Sequence, residues 1–160
     1  MAKAGYAINT EADVALVATT AKTILGVLAP AQFGADLRGF EIAFDGVTTT
    51  DKPVLVEICQ CTWATNPPGT NSTSATVVQI YGRAIAAGFT GAYNWTTEPT
   101  VLGATTAIKT LRLTPNGGTY DYDWPLGETP DNDVSKGFAA RCTAPTSAVN
   151  ARATMRVERC

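Results

Sequence analysis

The chain has 160 residues, 45% of them hydrophobic and only 16% charged, with a formal net charge of −2 and no histidine. That length suits one domain able to bury a core without disulfide or metal staples. The acidic balance leaves no basic footprint for nucleic acid, and the missing histidine removes the commonest general base, which argues against an enzyme.

Residues 1–20, MAKAGYAINTEADVALVATT, show no charged-then-apolar leader, because Glu11 and Asp13 interrupt the apolar run; folding in a cytosol is expected. The same segment lacks turn chemistry and is expected to be an extended N-terminal arm that orders on contact with a neighbour. The stretch Ile24 to Ala31, broken by Gly26 and Pro30, is far too short for a membrane span, so no membrane partner is expected.

From residue 21 onward, period-2 alternation dominates. AKTILGVLAP (21–30) reads as a β-rich run closed by proline. RGFEIAFDG sets Phe40, Ile42 and Phe44 against Gly39, Glu41 and Ala43, then stops at the Asp45-Gly46 turn signal. PVLVEICQCTW sets Val54, Val56 and Ile58 against Leu55, Glu57, Cys59 and Cys61. The DG pair and the short VTTTDK between these runs suggest a hairpin with a loop longer than two residues.

Residues 65–75 read as loop, and TVVQIYGRAIAAGF (76–89) as a short helix or a strand, its two glycines opposing a long helix. TTAIKTLRLTP is an alternating strand carrying Ile108 and either Leu111 or Leu113. PNGG then suggests a tight turn, with Gly117 and Gly118 supplying positive φ, so that TYDYDW would return as the second arm of a hairpin. Alternation puts Tyr120, Tyr122 and Trp124 on one face, toward a core, and Thr119, Asp121 and Asp123 on the other, solvated or paired across strands. SKGFAARCTAP and NARATMRVERC supply two last strands, joined through PTSAV. The sum is an all-β chain: a single antiparallel β-sandwich, jelly-roll or Ig-like, over residues 21–160, with the arm at 1–20.

Chemical motifs are sparse. Acids gather at Asp121, Asp123, Glu128, Asp131 and Asp133, but in DNDVSKG the glycine falls one place late for a calcium loop and no Glu closes it. Asp121 and Asp123 have the spacing of a hydrolase pair, yet nothing marks a cleft. Cys59 and Cys61 point to one face of a strand; with Cys142 and Cys160 they read as reduced, partly buried thiols, a bridge to the C-x-C pair being the alternative in an oxidising setting. Sequons at Asn71 and Asn94 read as chance matches. Arg141, Arg152, Arg156 and Arg159 are expected on exposed strand faces, guarding an edge or meeting an acidic partner. No catalytic, cofactor-binding or metal-ligating residue is assigned, and no cofactor is expected.

Taken in order, AKTILGVLAP, GFEIAFDG, PVLVEI, NWTTEPT, TPNGGTYDYDWPLGE and a last strand ending RVER resemble the head-decoration proteins of tailed bacteriophages, especially those of actinobacterial hosts. The resemblance spans about residues 20 to 160 and rests on structural turns rather than catalytic signatures. The C-x-C pair, Cys160 and the acidic 121–133 segment depart from it. It implies an all-β virion protein that binds the outer surface of the assembled capsid and stabilises it. The major capsid protein would be its partner, a homotrimer its assembly, and the capsid exterior its location after synthesis in the host cytoplasm. The alternative is a tail- or fibre-associated binding module, carbohydrate-binding if the row Tyr120, Tyr122, Trp124 is exposed.

Overall fold

The computed structural model describes residues 3–47, 52–100, 102–103 and 105–160. These residues form thirteen strands and no helix. In chain order the first seven are β1 (Gly5–Asn9), β2 (Val14–Leu16), β3 (Ala21–Leu28), β4 (Ala35–Phe44), β5 (Val54–Cys61), β6 (Thr73–Ala75) and β7 (Val77–Tyr81). Then come β8 (Thr90–Tyr93), β9 (Ala107–Leu113), β10 (Thr119–Asp123), β11 (Asp131–Asn132), β12 (Gly137–Thr143) and β13 (Val149–Arg159). The first sheet runs β10-β4-β13-β1-β7, with β11 also beside β4 and β2 beside β13; the second runs β6-β8-β3-β12-β5-β9. Every pairing between these strands is antiparallel. The all-β sandwich expected from alternation is therefore present.

The core lies where the alternation places it. Phe40, Ile42 and Phe44 from the first sheet meet Val54, Val56 and Ile58 from the second in one buried cluster. Leu111 and Leu113 of β9 both pack against that cluster, whereas Ile108, beside the register shift at Ile58/Cys59, stays partly exposed. Alternate residues of β9 and β10 are exposed, as in half-buried strands, whereas β3, β5 and β12 bury residues of both faces.

The connections differ from the expected ones. Among the described residues, no strand pairs with its immediate neighbour in the chain. The PNGG turn has the anticipated positive φ at Gly117 and Gly118, 78° and 89°. It does not close a hairpin, because β9 pairs with β5 in the second sheet and β10 with β4 in the first. The stretch between β4 and β5 is likewise a crossing between sheets, and its residues 48–51 lie outside the described residues. Glycine turn chemistry lets the chain reverse; whether the next strand bonds to the last or crosses over depends on which sheet its apolar face completes.

The N-terminal segment is also corrected. Beyond residues 1–2, which lie outside the described residues, it is not an arm: β1 sits inside the first sheet between β13 and β7. Tyr6 and Ile8 are fully buried, and Val14 and Leu16 of β2 join the same core. Gly5-Tyr-Ala-Ile-Asn is a short alternating strand that Glu11 and Asp13 follow rather than interrupt. Within 76–89 the strand reading holds for β7, followed by an irregular exposed stretch. The arginine-bearing strands β12 and β13 prove to be central, not edges.

Ile8→Ala is expected to lower the unfolding free energy by about 2–4 kcal/mol in urea denaturation, the cost of a buried large-to-small change. A loss below about 0.5 kcal/mol, typical of surface positions, would restore the arm.

Candidate functional site

The two sheets present different outer faces. On the second, small residues from four strands line up as a floor: Ala92 opposite Gly26, Gly26 opposite Ala139, Ala139 opposite Cys59. Trp63 and Trp95 stack above it, ring centroids 5.7 Å apart and planes within 12°. A Cβ on Gly26 would come within 2.7 Å of one indole and 2.9 Å of the other, so only glycine lets them lie this close. Each indole N–H donates to a carbonyl, Trp63 to Val27 at 3.1 Å and Trp95 to Asn66 at 2.9 Å. Beside them Arg141 donates to Glu57 through Nε (2.9 Å) and Nη2 (2.7 Å), and through Nη1 to the Leu102 carbonyl. Glu98 folds back to accept from the backbone N–H and hydroxyl of Thr23. The loops after β5 and β8 thus roof this face and make a second small core.

All four cysteines are unpaired. Cys59 and Cys61 lie in the second core, where burial pushes their thiols up, that of Cys61 to about 11. Cys142 faces the main core and is raised further by burial and by Glu57; Cys160 alone is exposed. None has the depressed pKa of a nucleophilic thiol.

The outer face of the first sheet is open and polar. Arg156 on β13 reaches across β4 to Asp121 and Asp123 on β10, the latter at 2.9 Å, with Glu41 at 3.9 Å. Gly39 makes this crossing feasible, since a Cβ there would collide with Asp123 and lie 2.6 Å from Arg156 Nε. Burial works against the Arg156 charge, but the two carboxylates outweigh it and hold its pKa above the ordinary value. Arg152 pairs with Asp13, and Arg159 lies 3.7 Å over the Phe33 ring. The four arginines expected to face outward for a partner or an edge are thus engaged within the chain, because strands that carry them lie beside strands that carry acids or an aromatic loop.

At one corner of this face a groove of about 480 Å³ opens between Lys3, Asp36, Arg38, Tyr81, Asp131 and Glu158, with Leu126 on its rim. Arg38 is the extra residue where the β4–β13 register slips, and the bulge aims its guanidinium at Glu158, 3.5 Å away, and at the Thr129 hydroxyl, 3.0 Å away. Lys3 donates to Asp36 and lies 3.7 Å from Glu158; the Asp36 bond holds its ammonium above the usual range. The Tyr81 ring lies over Gly5 and its hydroxyl donates to Glu158; burial, then that carboxylate, pushes its pKa up to about 12. Sequence reading missed this corner entirely. Its members come from separated parts of the chain, and a bulge leaves no mark in composition.

The aromatic row takes an intermediate position. Tyr120 and Trp124 pack against the main core while Tyr122 bridges them, stacked on Tyr120 at 6.4 Å and edge-on to Trp124 at 5.1 Å. Lys109 of β9 sits 3.5 Å over the Tyr122 ring, so the row closes the seam between the edge strands β9 and β10. An open sugar platform needs free ring faces; here they are half-covered. Asp133 accepts from the Val134 N–H and lies 3.7 Å from Lys136. Among the described residues no three His, Cys, Asp or Glu side chains converge as metal ligands would. Asn71 and Asn94, the sequon residues, occupy left-handed turn positions with φ of 52° and 54°.

The carboxylates of both faces are engaged: Asp121 and Asp123 share one arginine, and Glu57, Glu98, Glu158 and Asp36 each serve a structural bond. No family model matches the chain, and neither a curated protein nor a solved structure matches it significantly.

Arg141→Ala is expected to cost about 3–5 kcal/mol, because it leaves the Glu57 carboxylate buried without a counter-charge. The double variant Glu57→Leu/Arg141→Met should recover most of that loss in thermal unfolding. Equal destabilisation of both variants would show that the ion pair is not what holds the roof.

Proposed function

We propose that this chain is a bacteriophage capsid decoration protein, a non-enzymatic structural protein that binds the outer surface of the assembled capsid and stabilises it. The observation that carries the reading is the asymmetry between the sheet faces. One is roofed by the chain's own loops around stacked indoles; the other is a broad open face of small and mutually paired charged residues. Such a face is suited to docking on a large protein surface: it is polar enough to remain soluble, and its ions are already positioned by their neighbours.

The partner in this reading is the major capsid protein, and the location is the capsid exterior. Stabilisation follows from mass action: at a free concentration 100 times Kd, each occupied site adds about 2.7 kcal/mol to the assembled state. Many identical sites on one shell repeat the gain. Within the sandwich, consecutive strands alternate repeatedly between sheets and neighbours within a sheet are distant in sequence, which supports a jelly-roll or Ig-like type. The tail- or fibre-associated alternative, as a carbohydrate binder, draws no support from the half-covered aromatic row.

The test is co-sedimentation with empty shells assembled from the major capsid protein of the phage this reading assigns the chain to. The protein should pellet with the shells at saturable stoichiometry and raise their melting temperature. Ala43→Arg, which adds bulk and charge in the open face beside Arg152, should weaken binding at least tenfold while leaving the sandwich folded. A chain that stays in the supernatant at tens of micromolar would overturn the proposal.

A further inference from the structure

Six strands pair on one side only among the described residues, and they are not equally guarded. β10 carries Asp121 and Asp123, β9 carries Lys109 and Arg112, and β2, β6 and β11 are only two or three residues long. These are ordinary protections against strand addition: charge and shortness. β7, the remaining edge, has neither. Its five residues Val77–Tyr81 are uncharged, contain no proline, and pair on one side only, with β1. Val78 and Ile80 are each 47% exposed, and Ile85 just beyond is 43% exposed, on a chain that buries most of its large aliphatic side chains.

The ends of this strand carry opposite charges. At its start, the Glu11 carboxylate accepts from the Thr76 N–H at 2.7 Å and is otherwise open to solvent; that bond holds its pKa below the ordinary value. Just past its end stands Arg83, exposed and reached by no ion pair among the described residues. Gln79 fixes the turn that carries Arg83, donating to the carbonyls of Tyr81 and Arg83 and accepting from the Ile85 N–H.

We propose that β7 is a self-association edge, on which a second copy of this chain adds its own β7 antiparallel about a twofold axis near Gln79. That pairing sets Val78 opposite Ile80 of the second copy, and the reverse, so the same apolar pair forms twice and each exposed side chain gains one partner. It sets Thr76 opposite Gly82, which brings Arg83 of each copy to Glu11 of the other. A like-charged edge would repel its copy; this one is complementary to itself. The register slip at Ile80 keeps the flat part of the edge short, so the apolar pairs and the two ion pairs, more than a long ladder, hold the contact. The inference does not rest on capsid binding, because the purified chain alone displays it.

The experiment is sedimentation velocity of the full chain across 1 to 200 µM, with near-ultraviolet circular dichroism to confirm each variant's fold. The wild-type chain should show a concentration-dependent dimer. Ile80→Lys should weaken it at least tenfold. Arg83→Glu and Glu11→Lys should each fail to self-associate, since each homodimer then opposes like charges twice. An equimolar mixture of those two variants should dimerise again, because the mixed pair restores both contacts. A chain that is monomeric throughout would overturn the proposal, as would an oligomer of any order that these substitutions leave unchanged.

Discussion

Both sheets are held together by the last two strands. β12 lies between β3 and β5 in the second sheet, and β13 lies between β4 and β1 in the first. Between them they place Phe138, Ala140, Cys142, Ala151, Ala153, Met155 and Val157 in the main core. Remove this pair and β3 loses β5, β4 loses β1, and neither half-sheet retains a covered face. With no pairing between chain neighbours among the described residues, each pairing closes a long loop before any contact compensates the lost entropy. The fold is therefore a cooperative, non-local arrangement with no local hairpin to begin from.

The alternation of single strands was legible in the sequence, and the pairing of strands was not. Phe40-Ile42-Phe44 and Val54-Val56-Ile58 announce their buried faces because side chains alternate strictly along a strand. PNGG announces a reversal, but a reversal serves a hairpin and a crossing between sheets equally well. The short strand Gly5–Asn9 was overlooked because two buried side chains make a weak periodic signal, although Tyr6 and Ile8 supply it. Arg38 at its bulge, and the Lys3–Asp36–Glu158 corner it completes, were invisible for a different reason. They depend on register between strands more than a hundred residues apart, which no local pattern encodes.

Polar side chains in this protein mostly hold one element to another. Arg141 and Glu57 tie β12 to β5 beneath the loop roof; Arg156 ties β13 to β10 across the gap left by Gly39. The Lys3–Asp36 and Tyr81–Glu158 bonds fasten β4, β7 and β13 at one corner. The absence of histidine fits this economy, since pairs of permanent charges near neutral pH suit fixed structure better than a group that titrates there. What remains for partners is a broad open sheet face and one unguarded edge.

Native-state hydrogen exchange is the most direct test of the dependence on β12 and β13. Backbone amides bonded within these two strands should be the slowest in the molecule and should exchange together, at the free energy of global unfolding, with β3, β4 and β5 close behind. The edge strands β6 and β7 should open earlier. If β13 amides exchanged well before those of β4 and β5, the two sheets would have to be held by something other than their last two strands.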